Sequence, residues 1–397
     1  MSPPAAPAVI ATQLVERVRE QLARRGATSG EADLAAQVRA AAAARGIVLG
    51  VDDLLDVVAG VRAELWGLGP LSPLLEDPEV TDILVNGPGE VVVDRGDGLH
   101  PAGIDLGREA DVRALAVRLA ASAGRRLDEA APWVDARLSG GVRLHAVLPP
   151  VSPEGTRISL RVLRGRDLDL PGLVRAGTLP PRWAPVFRAL LGARASFLVS
   201  GGTGAGKTTL LGALLSLAAP SERLVLVEDV CELAPRHPHV VRLEARHANV
   251  EGRGAVTLED LVRQALRMRP DRIVVGECRG AEVRDLLAAL NTGHAGGCGT
   301  VHANTCADVP ARLEALGCMA GLQPVAVRVQ AAAALDAVIH VRRDGAVRRV
   351  TEVAAVARAG DGGLDLLTAL RADPADRGAA GELGPGWPLL AERFGLP

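Results

Sequence analysis

The chain has 397 residues, 45 basic against 47 acidic, a formal net charge of -2, and no tyrosine within an aromatic content of only 2%. That balance lacks the basic footprint of a dedicated nucleic-acid binder, and so few rings leave no stacking platform for bases. The length gives room for two ordinary domains and a smaller third, with a core built from Ala, Val and Leu rather than from rings.

After a Pro/Ala-rich start, residues 9–24 and 31–45 and a segment from Asp52 or Asp53 to about Trp66 carry helical periodicity, with Val, Leu and Ala on one face. They predict an N-terminal helical bundle over residues 1–65, stopped by the glycines and proline of GLGPL (67–71). Two apolar runs, ILV and VVV, then flank Asn86-Gly87-Pro88-Gly89, a hairpin pattern. Residues 109–123 return to a helix, and 140–164 read as two strands around a Pro/Ser/Gly turn, so 66–165 forms a small α+β domain.

The stretch GRDLDLPGLVRAGTLPP holds three prolines and three glycines and predicts a linker over 166–181. Beyond it, ASFLVS (195–200), RLVLVED (223–229), DRIVVGE (271–277) and GTVHA (299–303) alternate with helical segments over 182–365, the pattern of an α/β domain with a mostly parallel sheet. Residues 366–397 read as a variable tail, with one short helix at 386–395.

Five cysteines, Cys231, Cys278, Cys298, Cys306 and Cys318, form no CxxC pair and so suit neither a disulfide framework nor a zinc knuckle; a reducing compartment fits them best. No run approaches the roughly 18 apolar residues of a membrane span, and acidic residues come too early at the N-terminus for a signal peptide. Membrane association is therefore expected to go through partners.

GGTGAGKTTLL (201–211) fits G-x-x-x-x-G-K-[ST], with Gly201, Gly206, Lys207 and Thr208 at the defining positions. A hydrophobic strand runs into it and an amphipathic helix leaves it, the setting a phosphate loop needs. The backbone of Gly201, Gly202, Thr203, Gly204, Ala205, Gly206, Lys207, Thr208 and Thr209 would line the nucleotide. Lys207 would bridge the β and γ phosphates of ATP, and the Thr208 hydroxyl would ligate Mg²⁺.

Hydrolysis also needs carboxylates for the metal and the water, and these collect at the carboxyl ends of the strands. VLVED puts Glu228 and Asp229 there, and IVVGE puts Glu277 there. Glu277 is expected to organise Mg²⁺ and its water shell and Glu228 to activate the attacking water, with the reverse division left open and Asp229 as a further acid. NTGHAGGCGTVHANT places His294 before a glycine-rich bend and His302 at a strand end on the side where the phosphates should lie; both are expected as γ-phosphate contacts or sensors, the alternative being ordinary polar residues that satisfy loop backbone groups. His237 and His239, among prolines, read as structural.

Thr257 and Asp260 predict a capping box ahead of an amphipathic helix whose arginines suit either solvent or a subunit boundary. Arg143, Arg157 and Arg161, in the small domain, are candidate arginine fingers or sensors for a nucleotide's γ-phosphate; the alternative is ordinary strand-surface charge.

Together, GGTGAGKTTLL, LVLVEDVCELAP, HPHVVRLEAR, TLEDLVRQALRMRPDRIVVGECRGAEV and LLAALNTGHAGGCGTVHANT resemble the secretion ATPases of the type II and type IV systems. Within them the sequence is most similar to the tight-adherence (Flp) pilus assembly branch, TadA or CpaF, in its actinobacterial conjugal-transfer-associated form. GLGPLSPLLEDPEVTDILVNGPGEVVVDR and GGVRLHAVLPPVSPEGTRISLR match the same branch, so the resemblance spans roughly residues 50–350.

The resemblance implies a RecA-like P-loop core preceded by a PAS-like α+β domain. It implies a cytoplasmic hexameric ring docked on inner-membrane platform proteins, with ATP hydrolysis driving assembly or retraction of a pilus. It makes GGTGAGKT the Walker A loop, Glu228 with Asp229 the Asp box, Glu277 the Walker B acid and His294 with His302 the His box, and makes Arg143, Arg157 and Arg161 phosphate-sensing arginines. The four-cysteine module of many type II members is absent, and Cys306 stands after HANT where Ser or Pro is commoner. Two other readings remain open: a DNA-translocating ATPase, which would want a basic channel, and a nucleotide-gated module with little turnover.

Overall fold

A computed structural model describes residues 34–44, 50–51, 53–55, 57–58, 61, 67–162, 168–246, 248, 253–345, 347–360, 362–372 and 381–396. The helix expected over 9–24, most of the helical segment expected from Asp52 or Asp53 to about Trp66, the start of the expected linker and residues 373–380 and 397 of the expected tail lie outside the described residues. The chain divides into two compact units, Met1–Arg164 and Gly165–Pro397.

In the first unit, a helix at Leu34–Ala43 is followed by a 3-10 segment, Gly69–Leu75, where the sequence pattern stops the helical region. A six-stranded sheet follows, made of β1 (Asp82–Gly87), β2 (Glu90–Asp94), β3 (Leu99–Pro101), β4 (Trp133–Arg137), β5 (Val142–Val147) and β6 (Arg157–Val162), in the order β3-β2-β1-β6-β5-β4. Alternation along these strands sends Ile83, Val85, Val91, Val93, Leu144, Ile158 and Leu160 to one face, against Val112, Leu115 and Leu119 of the helix Glu109–Ser122. A side chain of that kind contributes about 1.5–3 kcal/mol when fully buried, which fixes the register: a one-residue slip would turn the whole set outward. The opposite face carries the polar and charged members of the alternation.

The second unit is built on nine strands: β7 (Phe197–Gly201), β8 (Leu224–Glu228), β9 (Val240–Glu244), β10 (Arg272–Cys278), β11 (Cys298–His302), β12 (Ala337–Asp344), β13 (Val347–Arg358), β14 (Leu364–Arg371) and β15 (Glu382–Leu383). Their order is β15-β14-β13-β12-β7-β11-β10-β8-β9. The run from β12 to β9 is parallel, and β13, β14 and β15 add to it antiparallel. Phe197 and Val199 of β7 pack into one hydrophobic core with the helices Ala184–Gly192, Lys207–Leu215 and Trp387–Phe394. Leu198 enters a second core with the helices Leu258–Ala265, Glu282–Asn291, Val309–Met319 and Pro324–Ala334. Coverage of both faces explains why the central strands read as unbroken apolar runs.

Two expectations change. The described part of the presumed linker forms a helix, Leu170–Arg175, whose N-cap Asp169 accepts from the Gly172 amide at 2.7 Å. Leu170, Leu173 and Leu179 are buried in the core of the second unit, so the prolines and glycines there punctuate a packed segment. The presumed tail contributes β14 and β15, and its expected short helix, Trp387–Phe394, docks through buried Leu390.

Candidate nucleotide site

The loop between β7 and the helix Lys207–Leu215 has the glycine geometry expected of it. Gly206 has φ +94°, a left-handed conformation that side chains resist, and directly precedes the helix. Gly201 runs under β12, where a Cβ would lie 2.3 Å from the Val341 carbonyl oxygen. A left-handed residue followed by helical ones turns successive amides toward one centre, and the helix N-terminus adds its positive end.

Lys207 is 9% exposed, and its Nζ donates to the carbonyls of Gly201 at 3.0 Å and Gly202 at 2.9 Å. Burial lowers its pKa, while nearby Glu277 pulls it back up, Arg279 lowers it further and Glu232 raises it. The ammonium is thus held by hydrogen bonds that phosphate oxygens can replace, with an acid close by. Thr208, in the first turn of the helix, is half-buried.

Glu228 ends β8 and is 3% exposed. Its Oε1 accepts from the amides of Glu232 at 3.0 Å and Leu233 at 2.9 Å, while its Oε2 is buried with no hydrogen-bond partner. Burial outweighs those two amides and pushes the carboxyl up to about 7. Gly276, across on β10, leaves room for it: a Cβ there would lie 2.6 Å from Glu228 Cγ. Glu277 sits near the end of β10, and its Oε2 accepts from Arg279 Nε at 2.8 Å and also from the other arm of the guanidinium. Burial works against the charge of Arg279, but Glu277, Asp229 and Glu232 prevail and raise its pKa.

β11 brings His302 to the same edge, in register with Gly201 of the adjacent parallel β7. His294 is different. It precedes β11, and the glycines after it lie against the start of β7 and β10: the Gly296 amide donates to Ser196 Oγ, and the Arg272 guanidinium donates to the Gly296 carbonyl. The expectation that His294, like His302, contacts the γ-phosphate is therefore corrected for the site of its own chain. A five-residue strand spans roughly 13 Å at about 3.3 Å per step, and His294 and Gly201 stand at its opposite ends. His294 Nδ1 is buried without a hydrogen-bond partner. The two histidines read as structural have such partners, His237 the Ala219 carbonyl and His239 the Arg223 guanidinium.

Several residues near the loop went unread in the sequence. Glu232 joins the acids around Arg279. His340 on β12 is buried, with its Nδ1 2.9 Å from the Ser200 hydroxyl and a hydrogen bond to the backbone of Asn304, so it ties the strand before the loop to the segment after His302. From the β12–β13 hairpin, Arg348 Nε donates to the Gly204 carbonyl at 3.1 Å. The signal for this hairpin was present: Asp344-Gly345 between VIHV and VRRV is a turn dipeptide between strand-like runs.

In the first unit, Arg143, Arg157 and Arg161 all lie on the solvent-facing side of the sheet. Arg143 stands directly opposite Arg161 on one side and Arg137 on the other, a row of three cations that the sequence spacing does not reveal. Like charges so placed repel, and acids offset them: Asp82 lies 3.1 Å from Arg161 and Asp135 lies 3.8 Å from Arg143. Arg157 pairs with Glu154 at 2.9 Å.

The loop and its neighbours fit a nucleoside polyphosphate: glycine geometry, a buried lysine on exchangeable carbonyls and an unpartnered carboxylate oxygen on Glu228. Among the described residues no group of three or more His, Cys, Asp or Glu side chains could hold a metal by itself. Mg²⁺ would have to be held largely by phosphates and water, with Thr208 and Glu277 contributing, as is usual for this ion at triphosphates. Among the described residues, too, no helix is long and apolar enough to cross a membrane.

The profile of the family described as Type II/IV secretion system protein matches residues 64–358. A Mycobacterium tuberculosis protein named for conjugal transfer, Rv3659c, is 55% identical over 332 residues, covering 82% of this chain and 94% of that protein. The type IV secretion system protein PtlH of Bordetella pertussis is 34% identical over 321 residues, covering 72% of this chain and 93% of its own length. The crystal structure of the pilus retraction motor PilT with bound ADP superposes with a TM-score of 0.51 at 23% identity, covering 79% of this chain and 85% of that one, a likeness of fold. The chain belongs to the type II/IV secretion system protein family and is a P-loop ATPase of RecA-like fold.

Proposed function

We propose that the protein is an ATP-driven ring motor at the cytoplasmic face of a membrane, powering a pilus, secretion or conjugation machine of the tight-adherence TadA/CpaF branch. The observation that carries this reading is the meeting of Lys207, Glu228, Glu277 and His302 at one edge of one sheet.

The loop amides and Lys207 bind the phosphates of ATP. Glu228 accepts the proton of the attacking water: its buried, unpartnered Oε2 and raised pKa suit a base working near neutrality. Thr208 and Glu277 would hold Mg²⁺, which would supply charge neutralisation to the phosphates when bound. Glu277 is ion-paired with Arg279, and both lie close enough to Lys207 to shift its pKa. His302 donates to the γ-phosphate; His294, at the far edge of its strand, is left in a structural part within its own subunit. One of Arg143, Arg157 and Arg161 supplies a cation to the γ-phosphate of a nucleotide in a hexamer, and inner-membrane platform proteins receive the motion.

The test is steady-state phosphate release by the purified full chain, with its oligomeric state measured by light scattering in the same samples. Lys207→Ala is expected to cut turnover by about 10²-fold or more. Unchanged turnover in that variant would end the assignment of the site. Because relatives carry conjugal-transfer names, DNA belongs in the assay as well; strong stimulation by DNA would favour nucleic-acid translocation over a fibre motor.

A further inference from the structure

The sheet order sets β7, with its loop, between two unlike flanks. On one side lie β11, β10 and β8, bearing His302, Glu277 and Glu228; on the other lie β12 and β13. The hairpin joining β12 to β13 pairs Arg343 directly with Arg348. Both reach the phosphate loop of their own chain.

Arg348 touches the loop twice. Its Nε donates to the Gly204 carbonyl at 3.1 Å, and its stem lies along Gly206, where a Cβ would be 3.0 Å from Arg348 Cδ and 3.7 Å from Arg348 Cβ. Arg343 Nη1 lies 3.5 Å from where a Cβ of Gly204 would stand, and Arg343 Nε donates to the Gly345 carbonyl at 2.9 Å in the turn of the hairpin. At the base of the same hairpin, Val341 pairs with Gly201 and covers it closely. The hairpin therefore grips the loop at its first glycine, its middle and its last glycine.

Two arginines directly opposite each other across an antiparallel pair repel. Both add positive charge beside the loop, and the segment against which Arg348 lies, Gly204 to Gly206, belongs to the stretch whose amides cradle a β-phosphate in loops of this kind.

We propose that the β12–β13 hairpin braces the phosphate loop, with Arg348 as the positioning residue that sets Gly204–Gly206 for the diphosphate of ADP or ATP. This rests on the nucleotide reading above. It assigns the basic flank to holding the diphosphate, whereas the acidic flank acts on the γ-phosphate and water. Loss of Arg348 should consequently weaken ADP and ATP alike.

The experiment measures MgADP and ATP affinity by fluorescent-nucleotide titration of the full-length protein, with melting temperature recorded without nucleotide and KM and kcat for ATP measured in parallel. Arg348→Met should weaken both nucleotides by about tenfold, which corresponds to about 1.4 kcal/mol, with the loss concentrated in KM rather than kcat. Arg348→Lys, which keeps the charge and the stem, should recover part of the loss. An R348M affinity for MgADP within about twofold of wild type would overturn the brace, since the expected loss is about tenfold. So would a lower melting temperature together with a lower kcat at unchanged KM and no rescue by lysine, the mark of a merely structural arginine. A wild-type protein that binds no MgADP would overturn the nucleotide reading itself, and the brace with it.

Discussion

The two sheets of this chain use the same strand chemistry to opposite ends. Among the described residues of the six-stranded antiparallel sheet, one face is buried against the helix Glu109–Ser122, and the other presents Arg137, Arg143, Arg157 and Arg161. In the nine-stranded sheet both faces of the central strands are covered, so no face remains for function. Chemistry can then reside only at the strand ends, where Gly201, Glu228, Glu277 and His302 emerge. A half-buried sheet offers an array of side chains, whereas a fully buried one offers an edge.

The largest expected effect tests the array. Replacing Arg143, Arg157 and Arg161 by alanine one at a time should reveal one position at which turnover of the assembled protein falls by about 10³-fold, the scale of an arginine finger. Uniformly small losses in phosphate release would reduce that face to solvated charge.

A smaller effect tests the edge. Glu228→Gln should lower kcat by about 10²-fold, as expected on losing a general base. The pH profile carries the sign. With its carboxyl raised from 4.5 to about 7, Glu228 is a base only above about 7, so wild-type turnover should fall as pH drops through that value. Stability runs the other way: the neutral buried acid favours the fold below about 4.5, and that contribution is lost as pH rises through about 7. The glutamine variant should lose both dependences, and a pH–rate profile of unchanged form in that variant would remove Glu228 from the water-activating role.

The smallest effect on activity comes from the buried face of the first sheet. Leu144→Ala should destabilise the unit by about 2–5 kcal/mol, read by denaturant unfolding, and leave MgADP binding by the second unit intact. Loss of nucleotide binding at the same denaturant concentration as loss of the first sheet would contradict that separation of duties.

Much of this was legible without coordinates. The phosphate loop could be read because its glycines, lysine and threonine are consecutive, and local backbone geometry is dictated by neighbouring residues. The placement of Glu228, Glu277 and His302 at one sheet edge could be read because each closes a short apolar run, and a parallel sheet gathers such ends. Composition misled at 166–181 and after 365, where prolines and glycines suggested slack chain but buried Leu170, Leu173, Leu179 and Leu390 belong to the core. Turn residues report local geometry, not whether the segment between them packs.

What the sequence determined by itself was the kind of chemistry: a strand, a glycine loop and a helix in succession specify a phosphate cradle wherever that chain folds. What only the tertiary structure decided was which distant residues share the cradle. His294 and His302 are near neighbours along the chain but stand at opposite ends of one strand. Arg348 lies far along the chain from Gly204 yet donates to its carbonyl. Strand order and register set those distances, and they arise from burying apolar faces across the whole unit, a cooperative property that no short stretch of residues contains.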